Sequence, residues 1–283
     1  MHIPRLFFFR ILLILTLLVP ISIALARPPD RIISLAPNIT EILFAMDMGG
    51  NVVGVTSFCD YPEDAGRKTK VGGMSNPSLE AVVSLRPDIV VMTTDGNPKE
   101  FEERLRSLGI KTYVFRARKL SELPGGIREM GKALDAEQRA DVLATKIESA
   151  INGFSVAHHP SPVNGHLSQK RVLFIIWPEP LIVAGPGTEI DDTITLLGMD
   201  NIASKAGTSY PRYSVEEIIR QSPDIIFIGR GHGDMKEMSK GLLKKIAAVP
   251  AVKERRVFFL SDSLYRLGPR VVSGIAEMAA YLK

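Results

Sequence analysis

The sequence predicts an α/β protein of two Rossmann-like lobes, each with a mostly parallel central sheet, joined by one long α-helix. Three observations predict this architecture. A segment of the chain occurs twice, buried strands alternate with helices around both copies, and a long amphipathic stretch lies between them. Strands that alternate with helices indicate βαβ units and hence a parallel sheet. Two such sets indicate two similar lobes.

The repeated segment covers residues 78–91 and 214–227. Each copy begins with a serine, a good helix N-cap, and carries Glu80 or Glu216 two places later, where its charge favours the positive end of a helix. Apolar residues follow at helical spacing until a Pro-Asp pair ends the helix, and an all-apolar run then predicts a strand buried on both faces. Each copy therefore predicts a helix followed by a central strand.

The segments around the two copies have the same predicted secondary structure, although their amino acids differ. Further strands are predicted at 31–35, 112–115, 171–176 and 257–260. Between the lobes, apolar residues recur at steps of three and four from Ile127 to Phe154, which predicts one helix of about 42 Å. The predicted division is a first lobe at 27–118, a connecting helix at 119–156, a loop at 157–170 and a second lobe at 171–283.

Residues 1–26 predict a secretory signal peptide. A basic start with Arg5 and Arg10 leads into an apolar run at 11–23 and ends in Ala-Leu-Ala. The run is shorter than the roughly 20 residues that span a bilayer, so we expect cleavage after Ala26. Cleavage lowers the formal charge from +4 to +2, which gives no electrostatic footprint for nucleic acid. Cys59 is the single cysteine, so no internal disulfide forms.

An ordered set of motifs at 31–41, 53–62, 71–73, 107–110 and 261–270 resembles the helix-bridged periplasmic binding proteins for cobalamin, ferric siderophores and haem. The likeness covers nearly all of the mature chain and is strongest to the cobalamin-binding branch. It implies a periplasmic, monomeric component of an ABC importer, which is no enzyme and needs no cofactor. Its transported ligand would be cobalamin or a related corrinoid, and its partners the membrane subunits of the importer.

In open α/β lobes, ligands bind beyond the carboxyl ends of the strands. The candidate ligand-binding residues in this position are Pro37, Tyr61, Met74, Thr93, Trp177, Leu181, Tyr210, Asp262 and Arg266. The resemblance implies that Tyr61 lies against the corrin ring and that Asp262 and Arg266 form a polar pair facing the ligand. It also implies an aromatic wall at Tyr210. Met74 and Thr93 stand where the family example has aromatic residues, so haem or a siderophore remains an alternative ligand.

Each candidate has a simpler interpretation. Tyr61-Pro62 and Tyr210-Pro211 are compatible with ordinary turns, Trp177 with a cover for the end of its sheet, and Asp262 with a surface ion pair to Arg266.

For Glu80 and Glu216, the resemblance implies docking onto arginines of the membrane subunits, and helix-dipole stabilisation is the alternative.

Three other ligand or function classes would each need particular residues. A haem carrier would need an axial ligand, for which Tyr61, Met74, Tyr210 and His232 are candidates. A siderophore carrier would use arginines such as Arg212, Arg266 and Arg270. An exported α/β enzyme would need a nucleophile elbow, a metal cluster or paired carboxylates at strand ends, and the sequence has none of these patterns.

Overall fold

The computed structural model describes residues 28–94, 96–158, 170–230 and 233–282. The predicted signal peptide, most of the predicted loop at 157–170, and His232 lie outside these ranges. Within the described ranges, no helix has the length and apolar character needed to cross a membrane.

The first lobe is built on a five-stranded sheet in which every neighbouring pair is parallel. Its strands are β1 (Ile32–Ser34), β2 (Val52–Val55), β3 (Thr69–Lys70), β4 (Ile89–Thr93) and β5 (Lys111–Phe115), in the order β3-β2-β1-β4-β5. Its helices are α1 (Pro37–Ala45), α2 (Glu63–Gly66), α3 (Leu79–Ser84) and α4 (Lys99–Ser107). The central strands β1 and β4 are wholly buried, as their apolar runs predicted.

The second lobe has a mixed five-stranded sheet. Its strands are β6 (Arg171–Pro178), β7 (Leu181–Val183), β8 (Asp200–Asn201), β9 (Ile225–Gly229) and β10 (Val257–Leu260). The order is β10-β9-β6-β7, with β8 also paired to β6. All pairs are parallel except β6 with β7, which forms a hairpin that the sequence did not reveal. The remaining helices are α7 (Glu189–Leu196), α8 (Val215–Gln221), α9 (Met235–Lys245), α10 (Pro250–Lys253) and α11 (Val271–Ala280).

The sequence repeat corresponds to a structural repeat. The hydroxyl of Ser78 accepts the backbone N–H of Ala81 at 3.2 Å, and that of Ser214 accepts the N–H of Glu217 at 3.0 Å. Each serine thus satisfies one of the free N–H groups at the start of α3 or α8.

The Pro-Asp pairs also have equivalent contacts in the two lobes. The carboxylate of Asp88 accepts the backbone N–H of Arg31 at 2.9 Å, and that of Asp224 accepts the N–H of Arg171 at 2.8 Å. Each aspartate therefore fixes the entrance to the central strand beside it, β1 or β6. The prediction of two lobes with mostly parallel sheets is confirmed.

The connecting helix begins later than predicted. Two helices, α5 (Leu123–Ala133) and α6 (Glu137–His158), replace the continuous helix expected from Ile127 to Phe154. The break lies at residues 134–136, where Asp135 adopts a left-handed conformation with φ of 51°. Arg128 of α5 bonds Asp141 and Glu148, so α6 folds back against α5. The 22 residues of α6 form the one long helix that leads into the second lobe.

One apolar core runs through both lobes. It contains Ile32 and Phe115 from the first lobe, Ile147 from α6, and Phe174 and Ile275 from the second lobe, all at most 3% exposed. Smaller clusters cover the outer face of each sheet. Because α6 lies within the shared core, the two sheets are held together by buried side chains as well as by the chain itself.

Candidate functional site

A cleft of about 750 Å³ opens between the lobes, at the carboxyl ends of the central strands. Six of the predicted residues line it, namely Pro37, Met74, Thr93, Tyr210, Asp262 and Arg266. Pro37 begins α1 just beyond β1, and Thr93 is the last residue of β4. Asp262 follows the end of β10 by two residues. Parallel strands carry these side chains to one edge of each sheet, where the two edges face each other.

Asn97 holds the first-lobe wall of the cleft in place. Its amide nitrogen donates to the carbonyl oxygens of Leu35 at 3.0 Å and Met74 at 2.9 Å, and its amide oxygen accepts the N–H of Thr93 at 2.8 Å. One side chain therefore ties together the segments that follow β1, β3 and β4. The sequence reasoning missed Asn97, although its place in the turn-forming run Asp95-Gly96-Asn97-Pro98 was a usable signal.

An ionic network crosses the cleft at one end. Arg266 of the second lobe pairs with Asp262 at 2.7 Å and with Asp60 of the first lobe at 2.6 Å. A weaker contact of 3.4 Å joins Arg266 to Glu41 on α1. The predicted Asp262–Arg266 pair is therefore present, as part of a larger set of charges from both lobes. The pKa of Asp60 is held below its usual value, chiefly by the hydrogen bond from Arg266.

Arg270 joins this network through the buried carboxylate of Glu41. Its Nη2 and Nε atoms donate to the two carboxylate oxygens of Glu41 at 2.8 and 3.0 Å, a bidentate pair between the lobes. A further contact of 3.1 Å joins it to Asp262. Burial alone would lower the pKa of Arg270, but the hydrogen bonds and charge of Glu41 raise it above its ordinary value. The Glu41 side chain is 2% exposed, so this pair is shielded from water.

Tyr61 lies at the rim of the network and is absent from the cavity lining. Its ring is 4.5 Å from the guanidinium carbon of Arg270, a cation–π contact, and the residue is 49% exposed. The prediction placed Tyr61 against the ligand. The structure places one face of the ring on an arginine and the residue beside the cleft mouth.

Trp177 and Leu181, which were predicted to line the cleft, are absent from the cavity lining. Side chains alternate along a strand, so Trp177 lies on the same face of β6 as Leu173 and Ile175 and packs on the outer cluster of the second lobe. Its indole N–H donates to the carbonyl of Glu179 at 2.8 Å, within the turn of the β6–β7 hairpin. Leu181 packs on the same outer cluster and lines a separate hollow beneath that turn. The simpler interpretation of Trp177, a cover for its sheet, fits this position.

Two tyrosines contribute to the second-lobe wall. Tyr210 lines the cleft and is 50% exposed. Tyr265, which the sequence reasoning missed, packs its ring edge-on to Phe174, and its hydroxyl is buried without a hydrogen-bond partner among the described residues. Burial raises the pKa of Tyr265 to about 12, so its hydroxyl keeps its proton at neutral pH. Gly229 permits this packing, because a Cβ there would lie 3.0 Å from the Tyr265 ring.

Glu80 and Glu216 are exposed at equivalent positions in the first turns of α3 and α8. Neither belongs to the cleft lining. In the described part of the chain, no group of three or more His, Cys, Asp or Glu side chains is placed to hold a metal ion. Cys59 is buried beside the hydroxyls of Thr40 and Thr56, each 3.1 Å from its sulfur.

Comparisons with known proteins agree with this architecture. A vitamin B12-binding protein from Pectobacterium atrosepticum is 27% identical over 274 residues, which cover 97% of this chain and 95% of that protein. The solved periplasmic heme-binding protein RhuT from Roseiflexus has a TM-score of 0.80 and 29% identity, covering 89% of this chain and 97% of that one. The solved periplasmic vitamin B12-binding protein BtuF of Vibrio cholerae has a TM-score of 0.74 and 25% identity, covering 91% of this chain and 98% of that one.

The family model for periplasmic binding proteins matches residues 32–264, most of the chain. Proteins of this family bind a solute for transport, and they are neither enzymes nor carriers of a catalytic cofactor. The predicted resemblance is therefore confirmed. The chain belongs to the periplasmic binding protein family.

Proposed function

We propose that this protein binds cobalamin or a related corrinoid in the cleft between its lobes and delivers it to the membrane subunits of an ABC importer. The curated relatives named as vitamin B12-binding proteins support this ligand, at 25–28% identity over 90% or more of the chain. The observation that carries the proposal is the balance of charges that line the cleft.

Among the described residues, six charged side chains line the cleft, and their formal charges cancel. They are Arg118, Arg230, Arg266, Asp60, Glu189 and Asp262. The rim of a corrin ring carries neutral amides, which donate hydrogen bonds to carboxylates and accept them from guanidinium groups. A haem would instead bring two carboxylates whose charge this balanced lining leaves uncompensated. A neutral, amide-rimmed ring therefore suits this lining better than an anionic one.

The aliphatic and aromatic parts of the lining would cover the faces of such a ring. Met74 from the first lobe and Tyr210 from the second supply flexible and flat apolar surface. Tyr61, at the rim, would extend the aromatic wall once a ligand fills the cleft. Pro37 and Thr93 complete the first-lobe floor, and Asp262 with Arg266 would bond the ring amides.

Haem is the second candidate, favoured by the likeness to the Roseiflexus heme-binding protein. It would require an axial ligand from the protein, whereas a corrinoid carries its own. Within the described lining, Met74 and Tyr210 are accessible donors. The Tyr265 hydroxyl is buried and protonated, which makes it a poor iron ligand.

Calorimetric titration of the mature chain, residues 27–283, tests the ligand. We expect one-to-one binding of cyanocobalamin, with weaker binding of haemin and of a ferric siderophore. Tight haemin binding without a response to cyanocobalamin would replace cobalamin by haem as the ligand. Turnover of a substrate with no ligand captured would contradict the transport role. Mass spectrometry of the periplasmic form, with a monomer mass and Arg27 as its first residue, checks export and cleavage.

We also propose that Glu80 and Glu216 dock onto cationic residues of the membrane subunits. Their equivalent, exposed positions on the two lobes support contact with two similar subunits. The variant Glu80→Arg with Glu216→Arg should keep ligand affinity and lose transport in reconstituted vesicles, because like charges would then face each other. Glu103→Arg with Glu237→Arg, which alters one exposed helical acid per lobe elsewhere, is the matched control and should transport normally. Normal transport by the first variant would refute docking through these acids.

A further inference from the structure

Asp60 is the first-lobe carboxylate that reaches across the cleft to a second-lobe arginine at the exposed end of the ionic network. Its Oδ1 atom lies 2.6 Å from Nη1 of Arg266, and its Oδ2 atom lies 3.4 Å from Nη2. Both residues line the cavity. The cation of Arg266 is thus paired across the cleft, and any ligand group that seeks this cation must compete with Asp60.

We propose that Asp60 is a specificity-determining residue, which neutralises Arg266 from the opposite lobe and so makes the cleft reject anionic ligands in favour of neutral, amide-bearing ones. The inference rests on the proposed function for the identity of the accepted ligand. The rejected class is macrocycles or chelates with free carboxylates, such as haem and carboxylate-rich ferric siderophores.

The charges around Arg266 support this role. Glu41, Asp60 and Asp262 surround Arg266 and Arg270, so three carboxylates face two guanidinium groups. The set carries a net charge of −1. An incoming carboxylate would be repelled by this set, whereas an amide oxygen can accept a hydrogen bond from Arg266 without adding charge. The hydrogen bond from Arg266 holds the pKa of Asp60 below its usual value, so the repulsion persists at neutral pH.

Exposure distinguishes Asp60 from the other two carboxylates. Its side chain is 62% exposed, against 28% for Asp262 and 2% for Glu41. Glu41 is itself buried and pairs with Arg270, and Asp262 bridges both arginines from their own lobe, so both also stabilise the fold. Removal of the Asp60 charge leaves Arg266 paired with Asp262 and bordering the open cleft. Ligand preference can therefore change at this position while the fold stays intact.

The test compares ligand affinities of Asp60→Asn with those of the unaltered protein. The substitution changes the net charge of the described lining from zero to +1 and removes the carboxylate with which the first lobe pairs Arg266 at the cleft. We expect haemin affinity to rise about tenfold, and the ratio of haemin affinity to cyanocobalamin affinity to rise with it. The haemin gain should shrink as salt is raised from low to physiological concentration, because salt screens charges at an exposed cleft. Calorimetry or fluorescence quenching of Trp177 measures both affinities.

Asp64→Asn is the matched control, since it removes one negative charge from the neighbouring helix α2. Asp64 pairs with Arg67 at 3.2 Å and lies outside the cavity lining. Its haemin affinity should equal that of the unaltered protein. An equal rise in haemin affinity in Asp60→Asn and Asp64→Asn would overturn the proposal. So would an unchanged haemin affinity in both Asp60→Asn and a second variant, Asp60→Ser. Failure of the proposed function would give a different result. The unaltered protein would not bind cyanocobalamin, whatever the effect of the Asp60 variants on haemin affinity.

Discussion

Glu41 shows how one buried charge can fix the geometry of a cleft. It lies on α1 of the first lobe, and its bidentate contact with Arg270 joins that helix to the segment that follows β10. Arg270 in turn contacts the Tyr61 ring and bonds Asp262, so two further side chains depend on this pair. Glu41 is 2% exposed, and its loss would leave Asp262 as the one carboxylate among the described residues that pairs with Arg270.

We expect Glu41→Gln to lower the free energy of unfolding by roughly 2–4 kcal/mol, since it removes the negative charge from a bidentate pair whose carboxylate is buried. Urea denaturation measures the change. Glu63→Gln, which removes an acid from an exposed ion pair with Arg67 on α2, should cost less than about 1 kcal/mol. Equal costs in the two variants would show that the buried pair gives no special stability.

Residues of the cleft were predictable where they follow a strand directly. Pro37, Thr93 and Asp262 come just after β1, at the end of β4 and just after β10, so the rule for strand ends located them. The network was hidden, because Glu41 and Arg270 are 229 residues apart and nothing local pairs them. Trp177 was expected at the cleft because it lies near the end of β6. The alternation of side chains along β6 instead puts its indole on the outer face of the sheet.

The α5–α6 hairpin depends on a close approach of two helices at Gly131. A Cβ built at Gly131 would lie 2.2 Å from the Cβ of Ala140, so any side chain there forces α5 away from α6. We expect Gly131→Ala to destabilise the protein by about 1–3 kcal/mol, measured by urea denaturation, through overpacking. Gly125→Ala, on the same helix with no atom within 4 Å of the added carbon, should be neutral or stabilising. A neutral Gly131→Ala would show that the helices can separate freely.

The same hairpin explains why the connecting helix was predicted with the wrong bounds. Apolar residues continue at helical spacing through the break, since Leu134 and Ala136 are buried in the turn as they would be in a helix. Periodicity therefore could not show where α5 ends. The signal lay in Asp135, a residue that tolerates the left-handed conformation found there, and in Gly131, which permits the tight return. By contrast, Ser78 and Ser214 marked the starts of α3 and α8 correctly, because a cap is a local interaction.

The shared core bears on how the whole molecule unfolds and moves. Domains within a chain usually meet through modest, polar interfaces and move relative to each other. Here α6 and the inner faces of both sheets contribute to one buried cluster, and the Glu41–Arg270 pair adds a second link across the cleft. Opening the cleft widely would expose part of this core to water. The lobes should therefore close on a ligand through a small displacement, in keeping with the single helix that joins them.

A shared core also predicts that the two lobes unfold together. Loss of one lobe would expose apolar surface of the other, so partly folded states with one intact lobe should be unstable. Trp177, the single tryptophan, reports on the second lobe, and a Phe58→Trp, Trp177→Phe double variant reports on the first. We expect both emissions to follow one urea transition with the same midpoint, and saturating ligand to raise both midpoints equally. Two separate midpoints would mean that the lobes are independent, and the small closure inferred from the shared core would then lose its basis.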